Sequence, residues 1–240
     1  QRIGDAASPY VHRVLPDACA DVVWIGEAAP VVAGPATRTV MLSLPPGALI
    51  VGARFRPGWA PSFLGLPADE ICDRERPLRE FWRADAERLW QQIAGEWTVA
   101  RKLMTIEAAL LDRAAEVQHA DRLAVRAVAW LAGNPGGRVH ALARDLELSD
   151  RQLQRRLAAA TGYGPKTLQR VLRLQRLLAL APARRGGLAQ LAAEAGYADQ
   201  PHMTREMREL TGLAPGELLP GRDSTLALSD LFKTPAEDAG

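Results

Sequence analysis

The feature that most constrains the fold of this chain is an internal repeat at a constant offset of 50 residues. Residues 141–165 and 191–215 superpose without a gap, and their apolar patterns agree. The identical positions are Ala143 and Ala193, Arg155 and Arg205, Thr161-Gly162 and Thr211-Gly212, and Pro165 and Pro215. Two copies are too few for a solenoid, so the pattern predicts a duplicated small unit.

Each copy has the order of a helix-turn-helix, with a short Ala-rich helix, a tight turn and a second helix. Ser149 and Asp199 precede the second helices, and their side-chain oxygens are suited to accept the free N–H groups of a first helical turn. The turns differ between the copies. Gly196 suits the positive φ of a reversing chain, whereas Leu146 holds the same place in the first copy and must tolerate or avoid that conformation.

The spacing of apolar residues assigns the faces of the two second helices. Leu153 and Leu157 lie four residues apart and are expected to face the core, as are Met203 and Met207. The side chains turned outward are then Arg151, Gln154 and Arg155 in the first copy, and Gln200, Thr204, Arg205 and Arg208 in the second. Arg pairs with guanine and Gln with adenine, so these faces suit the reading of DNA bases, although one such helix alone would fit an ordinary solvated face.

Charge is distributed unevenly along the chain. The whole sequence has a net charge of +2, but residues 121–220 carry 15 Lys and Arg against 9 Asp and Glu, whereas residues 1–120 carry 13 against 15. Of the 15 cations in the basic block, 14 are Arg. This asymmetry indicates a polyanionic partner for that block, with a solvated basic face as the alternative.

The segment between the copies, residues 165–181, is predicted to be one helix of about 25 Å. Successive major grooves on one side of B-DNA lie about 34 Å apart. A rigid helix of this size therefore suits two reading helices held near one turn of separation.

The N-terminal half has a different character. Short runs rich in β-branched residues predict strands over 21–25, 37–44 and 48–55, and an amphipathic pattern predicts a long helix over 98–118. That helix is expected to pack on its own domain or on a second copy of the chain. The predicted fold is an α+β N-terminal domain (1–120), then an all-α domain with two helix-turn-helix units joined by a long helix (121–220), and a tail (221–240).

Composition excludes several classes of protein. No apolar run approaches the ~20 residues of a membrane span, and the N-terminus has no pattern of a secretory signal. Two cysteines are too few for a disulfide framework, so we expect a cytoplasmic protein. The four histidines show no metal-ligand spacing, and no nucleophile or nucleotide motif occurs, so we expect neither a metal nor a cofactor.

Several of these motifs together resemble the AraC/XylS family of bacterial transcription regulators. They are residues 149–165 (SDRQLQRRLAAATGYGP), the Arg173-Leu174 pair, and residues 193–215 with the Gly196-Tyr197 turn. The resemblance implies a non-enzymatic DNA-binding protein whose second helices enter the major groove, with RNA polymerase as a candidate partner. It assigns base or groove contact to Arg151, Gln154, Arg155, Gln200, Pro201, Thr204 and Arg205. Pro201 and Leu168 depart from the family pattern, and Pro201 cannot donate a hydrogen bond to a base.

Residues 18–95 resemble an uncharacterised N-terminal domain found in some regulators of this family. The motifs are residues 33–37 (AGPAT) and 51–65 (VGARFRPGWAPSFLG). The resemblance implies effector sensing and homodimerisation as the roles of this half. The residues of a candidate small-molecule pocket are Trp24, Arg54, Phe55, Arg56 and Trp59, each of which also fits core packing or surface ion pairing.

Two alternative functions remain at this point. An enzyme joined to a DNA-binding module would need reactive cysteines, for which Cys19 and Cys72 are the only candidates. A protein-interaction adaptor that has lost DNA binding would show no steep salt dependence of duplex affinity.

Overall fold

The N-terminal strands form two antiparallel sheets in the computed structural model, which describes residues 10–96, 98–117, 119–183 and 186–219. β1 (Tyr10–Val14) pairs with β4 (Val40–Leu44) as a two-stranded ribbon. The second sheet has the order β5-β2-β3-β6. Its strands are β2 (Ala20–Ile25), β3 (Val31–Ala33), β5 (Ile50–Phe55) and β6 (Glu75–Pro77). The three predicted strands correspond to β2, β4 and β5, whereas β1, β3 and β6 were not predicted.

Four helices of the described N-terminal half share a core with this sheet. They are α1 (Ala60–Leu64), α2 (Arg79–Trp82), α3 (Ala84–Gly95) and α4 (Val99–Glu116). Thr98 caps α4 by accepting a hydrogen bond from the Arg101 amide, as is typical of a helix start. Apolar residues of the sheet and of these helices, among them Val22, Trp82 and Ile106, form one buried cluster.

The C-terminal half is entirely helical among the described residues from 122 to 219. Its helices are α5 (Arg122–Gly133), α6 (Val139–Asp145), α7 (Asp150–Thr161), α8 (Pro165–Leu180), α9 (Leu188–Ala195), α10 (Gln200–Thr211) and α11 (Pro215–Leu218). The predicted linking helix is α8. Leu168, Val171, Leu174 and Leu177 of α8 are fully buried, and helices on both sides contribute to the same cluster. The linking helix is thus the centre of the core rather than an exposed rod.

The two halves are in direct contact. α1 and the 3₁₀ turn Ala68–Glu70 pack against α7, and Ala18 lies within the C-terminal core. The Gln175 side chain of α8 also donates a hydrogen bond of 2.7 Å to the Pro16 carbonyl. The predicted tail, 221–240, lies outside the described residues.

A buried ion pair joins α8 to α10. Arg173 donates two hydrogen bonds to the Glu206 carboxylate, at 3.0 and 2.7 Å, and a third of 3.1 Å to the Pro135 carbonyl. Arg173 is 8% exposed and Glu206 is 6% exposed. The Arg173 guanidinium also stacks over the Tyr197 ring, 5.3 Å from its centroid. One side chain therefore ties the linking helix, the turn before α6 and the second unit together.

We expect Arg173→Met to lower the free energy of unfolding by about 3 kcal/mol, because Glu206 loses its bidentate partner in a buried position. Arg170, which lies 3.3 Å from the same carboxylate, prevents a larger loss. The double variant Arg173→Met with Glu206→Leu should recover most of that free energy, since no unpaired charge remains. Urea unfolding followed by circular dichroism measures both. A double variant as unstable as the sum of the two single variants would contradict this account.

Candidate nucleic-acid interface

The first unit presents the predicted face of α7. Ser149 caps the helix in a capping box, in which its hydroxyl accepts from the Gln152 amide and its own amide donates to the Gln152 side chain. Leu153 and Leu157 are buried, so the first turns of α7 project the opposite face into solvent. The exposed side chains on that face include those of Arg151, Gln154 and Arg155.

The second unit has the same arrangement around α10. Asp199 caps the helix by accepting a hydrogen bond of 2.6 Å from the His202 amide, and Met203 and Met207 are fully buried. Gln200, Pro201 and Arg205 are exposed. Thr204 is only half-buried, and its hydroxyl donates to the Gln200 carbonyl at 3.0 Å. Its methyl and hydroxyl groups are therefore less free than those of a fully exposed side chain.

α7 and α10, the predicted reading helices, end in the same hydrogen-bond pattern, which is direct structural support for the repeat. The Thr161 hydroxyl donates to the Leu157 carbonyl at 2.8 Å, and the Thr211 hydroxyl donates to the Met207 carbonyl at 2.7 Å. Gly162 and Gly212 then adopt left-handed conformations with φ of 79° and 74°. A glycine tolerates this conformation without a steric penalty, so the Thr-Gly pair stops each helix at an equivalent residue.

The left-handed residue of the turn lies one position later in the first unit than in the second. Gly196 takes the left-handed conformation with φ of 93°, as its residue type predicts. Leu146 avoids it with φ of −95°, and the following residue, Glu147, adopts φ of 55° instead. The first unit therefore places its strain on an exposed residue with a side chain.

One position of the repeat forms an ion pair with a neighbouring helix in both units. The residue at this position is basic in the first unit and acidic in the second. In the first unit Arg156 pairs with Asp121 at 2.6 Å, and Asp121 is also the N-cap of α5. The equivalent residue of the second unit is Glu206, which pairs with Arg173. Both positions form an ion pair, but the charge on the reading helix is reversed, so the two pairs are made with different helices, α5 in the first unit and α8 in the second.

The arginines on the exposed faces of α7 and α10 that are predicted to contact DNA form no ion pair in the part of the chain that the structure describes. Within the described residues, no carboxylate lies within ion-pair distance of Arg151, Arg155 or Arg205, whereas Arg156, Arg170 and Arg173 all have acidic partners. Unpaired guanidinium groups on an exposed face keep their hydrogen-bond donors available for phosphates or guanine.

His202 is part of the second unit rather than a free surface group. Its Nδ1 accepts a hydrogen bond of 3.3 Å from the Ala198 amide, and its ring meets the Tyr197 ring edge-on. Its Nε2 lies 3.6 Å from the Glu206 carboxylate. The residue supports the turn before α10.

No group of three or more potential metal ligands occurs in the described part of the chain.

The candidate pocket residues of the N-terminal half separate in the structure. Arg54 and Phe55 line a groove of about 460 Å³ between β5 and α4, but Trp24, Arg56 and Trp59 do not. Arg54 is held by Asp21 and Asp17, and Trp24 is buried in the core. Sequence reasoning missed the α4 side of the groove, which consists mainly of Leu103, Ile106, Leu110 and Leu111. The amphipathic pattern of α4 was the only available signal, and it does not name a partner strand.

The two cysteines lack the properties of nucleophiles. Burial raises the pKa of Cys19 to about 12, and burial together with nearby carboxylates raises the pKa of Cys72 to about 11. Because the thiolate is the reactive form, both side chains are almost entirely neutral thiols at pH 7. This disfavours the alternative of an enzyme that uses either cysteine.

Comparisons with known proteins agree with the geometry of the two units. A family model described as a helix-turn-helix domain matches residues 142–220, and a model described as a domain of unknown function matches residues 2–77. The resemblance seen in the sequence is confirmed for residues 142–220, which match the helix-turn-helix domain model. This match supports the coarse prediction of a DNA-binding transcription regulator.

Similar solved structures include two of ToxT from Vibrio cholerae. A structure at 1.65 Å resolution is 12% identical with a TM-score of 0.48, and covers 89% of this chain and 99% of that one. A structure from strain O395 is also 12% identical, with a TM-score of 0.47, and covers 90% of this chain and 94% of that one. The comparison with curated proteins found no match. None of the described helices is both long and apolar enough to cross a membrane.

Replacing Glu147 by Gly should stabilise the protein by about 0.5–1 kcal/mol, because the left-handed conformation at this residue costs a side chain more than it costs glycine. The matched control is Glu147→Ala, which keeps the Cβ atom and should give no such gain. Thermal and urea unfolding of the three proteins test this. Equal stability of the Gly and Ala variants would show that the turn is not strained.

Proposed function

We propose that the protein reads two successive major-groove segments of one DNA duplex, with α7 in the first and α10 in the second. The observation that carries this proposal is the equivalent exposure of the N-terminal halves of both helices, each backed by two buried apolar residues and each carrying unpaired arginine. In this arrangement one chain does what a helix-turn-helix dimer does with two.

The proposed contact residues are Arg151, Gln154 and Arg155 of α7, and Gln200, Pro201, Thr204 and Arg205 of α10. The arginines suit guanine and the glutamines suit adenine. Thr204 offers its methyl group, because its hydroxyl bonds to the helix backbone. Pro201 contributes shape only. The second unit therefore has fewer hydrogen-bond donors for bases than the first.

The linking helix supports this arrangement. α8 has 16 residues, which corresponds to about 24 Å, and its burial on several sides makes it a rigid spacer. The basic charge of residues 121–220 favours a phosphate backbone along the same surface. We also propose that the N-terminal and DNA-binding domains divide near residue 120. The proposed location of the protein is the cytoplasm.

The N-terminal domain is proposed to modulate DNA binding through a small effector. The groove between β5 and α4 is lined mainly by apolar side chains, with Arg54 and Glu107 among the lining residues. Pockets of this size and composition suit small, largely apolar molecules with one polar group. Such molecules should raise the melting temperature of the protein. Ala114→Trp, which fills the groove, should abolish this rise.

A homodimer through α4 belongs to the same proposal. One face of this helix packs on its own domain through Ile106, while Met104 is 64% exposed and lies outside the groove. Arg101 lies near the start of the helix and Asp112 near its end, both exposed. An antiparallel pair of α4 helices would bring these opposite charges together.

Selection of bound duplexes from a random pool should return a bipartite motif whose halves lie about one helical turn apart. Arg155→Ala should relax preference at one position of the first half by about 1–3 kcal/mol, and Arg205→Ala should do the same in the second half. The readout is the affinity for each single-base change in the selected site.

The matched control for both variants is Arg79→Ala, which removes the same charge from an exposed position on α2. It should leave the motif unchanged. A motif that keeps full preference in both halves after Arg155→Ala and Arg205→Ala would contradict the assignment of the reading faces.

Duplex affinity should fall steeply with salt, because phosphate contacts release counterions. With about four phosphate contacts, a fourfold rise in salt concentration lowers affinity on the order of 10²-fold. Titration of a labelled duplex at several salt concentrations measures the slope. A flat dependence would favour the alternative of a protein-interaction adaptor.

A further inference from the structure

A six-residue segment of the N-terminal domain contacts both helix-turn-helix units. Residues 34–39, here called the strap, run from the end of β3 to the start of β4. They include most of the AGPAT motif, which the proposed reading of DNA leaves without a role.

The strap is fixed firmly to its own domain by Asp73. Both Asp73 carboxylate oxygens accept hydrogen bonds of 2.6 Å from Thr37, one from its amide and one from its hydroxyl, while the Asp73 amide donates to the Pro35 carbonyl at 2.9 Å. At Gly34 the backbone is so close to a neighbouring loop that a Cβ atom would lie 1.8 Å from the Ile71 carbonyl oxygen. Only glycine fits there.

The middle of the strap meets the end of the first reading helix. The buried Tyr163 hydroxyl donates a hydrogen bond of 2.6 Å to the Ala36 carbonyl. The Pro35 ring lies 3.1 Å from the point where a Cβ atom of Gly162 would stand. Gly162 thus permits two things at once, the left-handed end of α7 and the close approach of the strap.

The last residue of the strap meets the end of the second reading helix. The Thr39 amide donates to the Leu210 carbonyl at 3.1 Å, and its hydroxyl lies 3.3 Å from the Thr211 carbonyl oxygen. These carbonyls belong to the last turn of α10, where the helix itself supplies no donors. Thr39 satisfies them, so its contact with the second unit is specific in position.

The strap holds the reading helices at the ends that point away from the proposed DNA contacts. The rise of an α-helix places Thr161 about 15 Å from Arg151 along α7, and Thr211 about as far from Pro201 along α10. The strap therefore leaves both reading faces uncovered. It is a brace between the units and not a cover over them.

We propose that the strap fixes the rotation and distance between the two reading helices and so determines which half-site spacing the protein accepts. This inference rests on the proposed reading of a bipartite site. The core around α8 connects the units on one side, and the strap connects their helix ends from the N-terminal domain. With both connections in place the two helices cannot turn relative to each other.

The test uses the full chain with Thr39→Val and Tyr163→Phe combined, which removes two hydroxyl donors and keeps side-chain volume. Thr37→Val is a second variant, since it loosens the strap from Asp73 without touching either unit. Ser43→Ala is the control, because Ser43 is exposed on β4 beyond the strap. Melting temperatures identify which variants are folded.

The first measurement is affinity for duplexes with the selected site and for versions with two base pairs added or removed between the halves. Two base pairs rotate one half by about 70° relative to the other. The parent and Ser43→Ala should lose about tenfold or more in affinity, and the two strap variants less than about threefold. A folded double variant with the parent's spacing profile would overturn the inference.

The second measurement does not need DNA. Spectroscopic labels on genetically encoded residues at Arg144 in α6 and Ala189 in α9, both exposed, report the distance between the units. We expect a narrow distribution in the parent and a broadened one in the strap variants. If the parent binds no bipartite duplex, the proposed function fails. The distribution of label distances then still decides whether the strap fixes the two units relative to each other. Equal widths in all variants would show that it is not.

Discussion

The buried pair of Arg173 and Glu206 is the interaction on which the rest of the C-terminal half depends. Two buried charges are costly unless they are well hydrogen-bonded, and here Arg173 donates a third hydrogen bond to the Pro135 carbonyl. Such a pair tolerates few geometries. It therefore constrains the position of α10 on α8 through directional hydrogen bonds, which the surrounding leucines and methionines do not form.

The two units share the features that define their second helices, α7 and α10, and differ in the contacts that hold these helices in place. Both units share the N-cap, the buried pair of apolar residues and the Thr-Gly end, which together determine the length and exposed face of α7 and α10. They differ in the turn and in the charge at the anchoring position, Arg156 or Glu206. The anchoring side chains of the two units therefore pair with different helices, although both units pack on α8.

Much of the C-terminal half could be predicted from the sequence, because its determinants are local. Caps, helix stops and four-residue apolar spacing lie within one element, and the structure agrees with them at Ser149, Asp199, Gly162 and Gly212. The strap could not be predicted, since Thr39 and Leu210 are 171 residues apart in sequence. β3 and β6 have three residues each, too few for an alternating pattern. The pocket prediction grouped Trp24 with Arg54 by residue type, as an aromatic wall with a polar anchor, although Trp24 is buried in the core.

The sheet connects the groove to the strap by a short path. β5 lines the groove, β3 leads into the strap, and β2 lies between them with Val22 opposite both Ala53 and Val32. Two strand spacings amount to about 10 Å. A molecule that displaces β5 in the groove would thus act on β3 through two hydrogen-bonded ladders, and β3 is continuous with the segment that holds both reading helices. Under the proposed roles of the groove and the strap, this path would connect an occupied groove to the spacing of the two units, because paired strands transmit a displacement that a flexible linker would absorb.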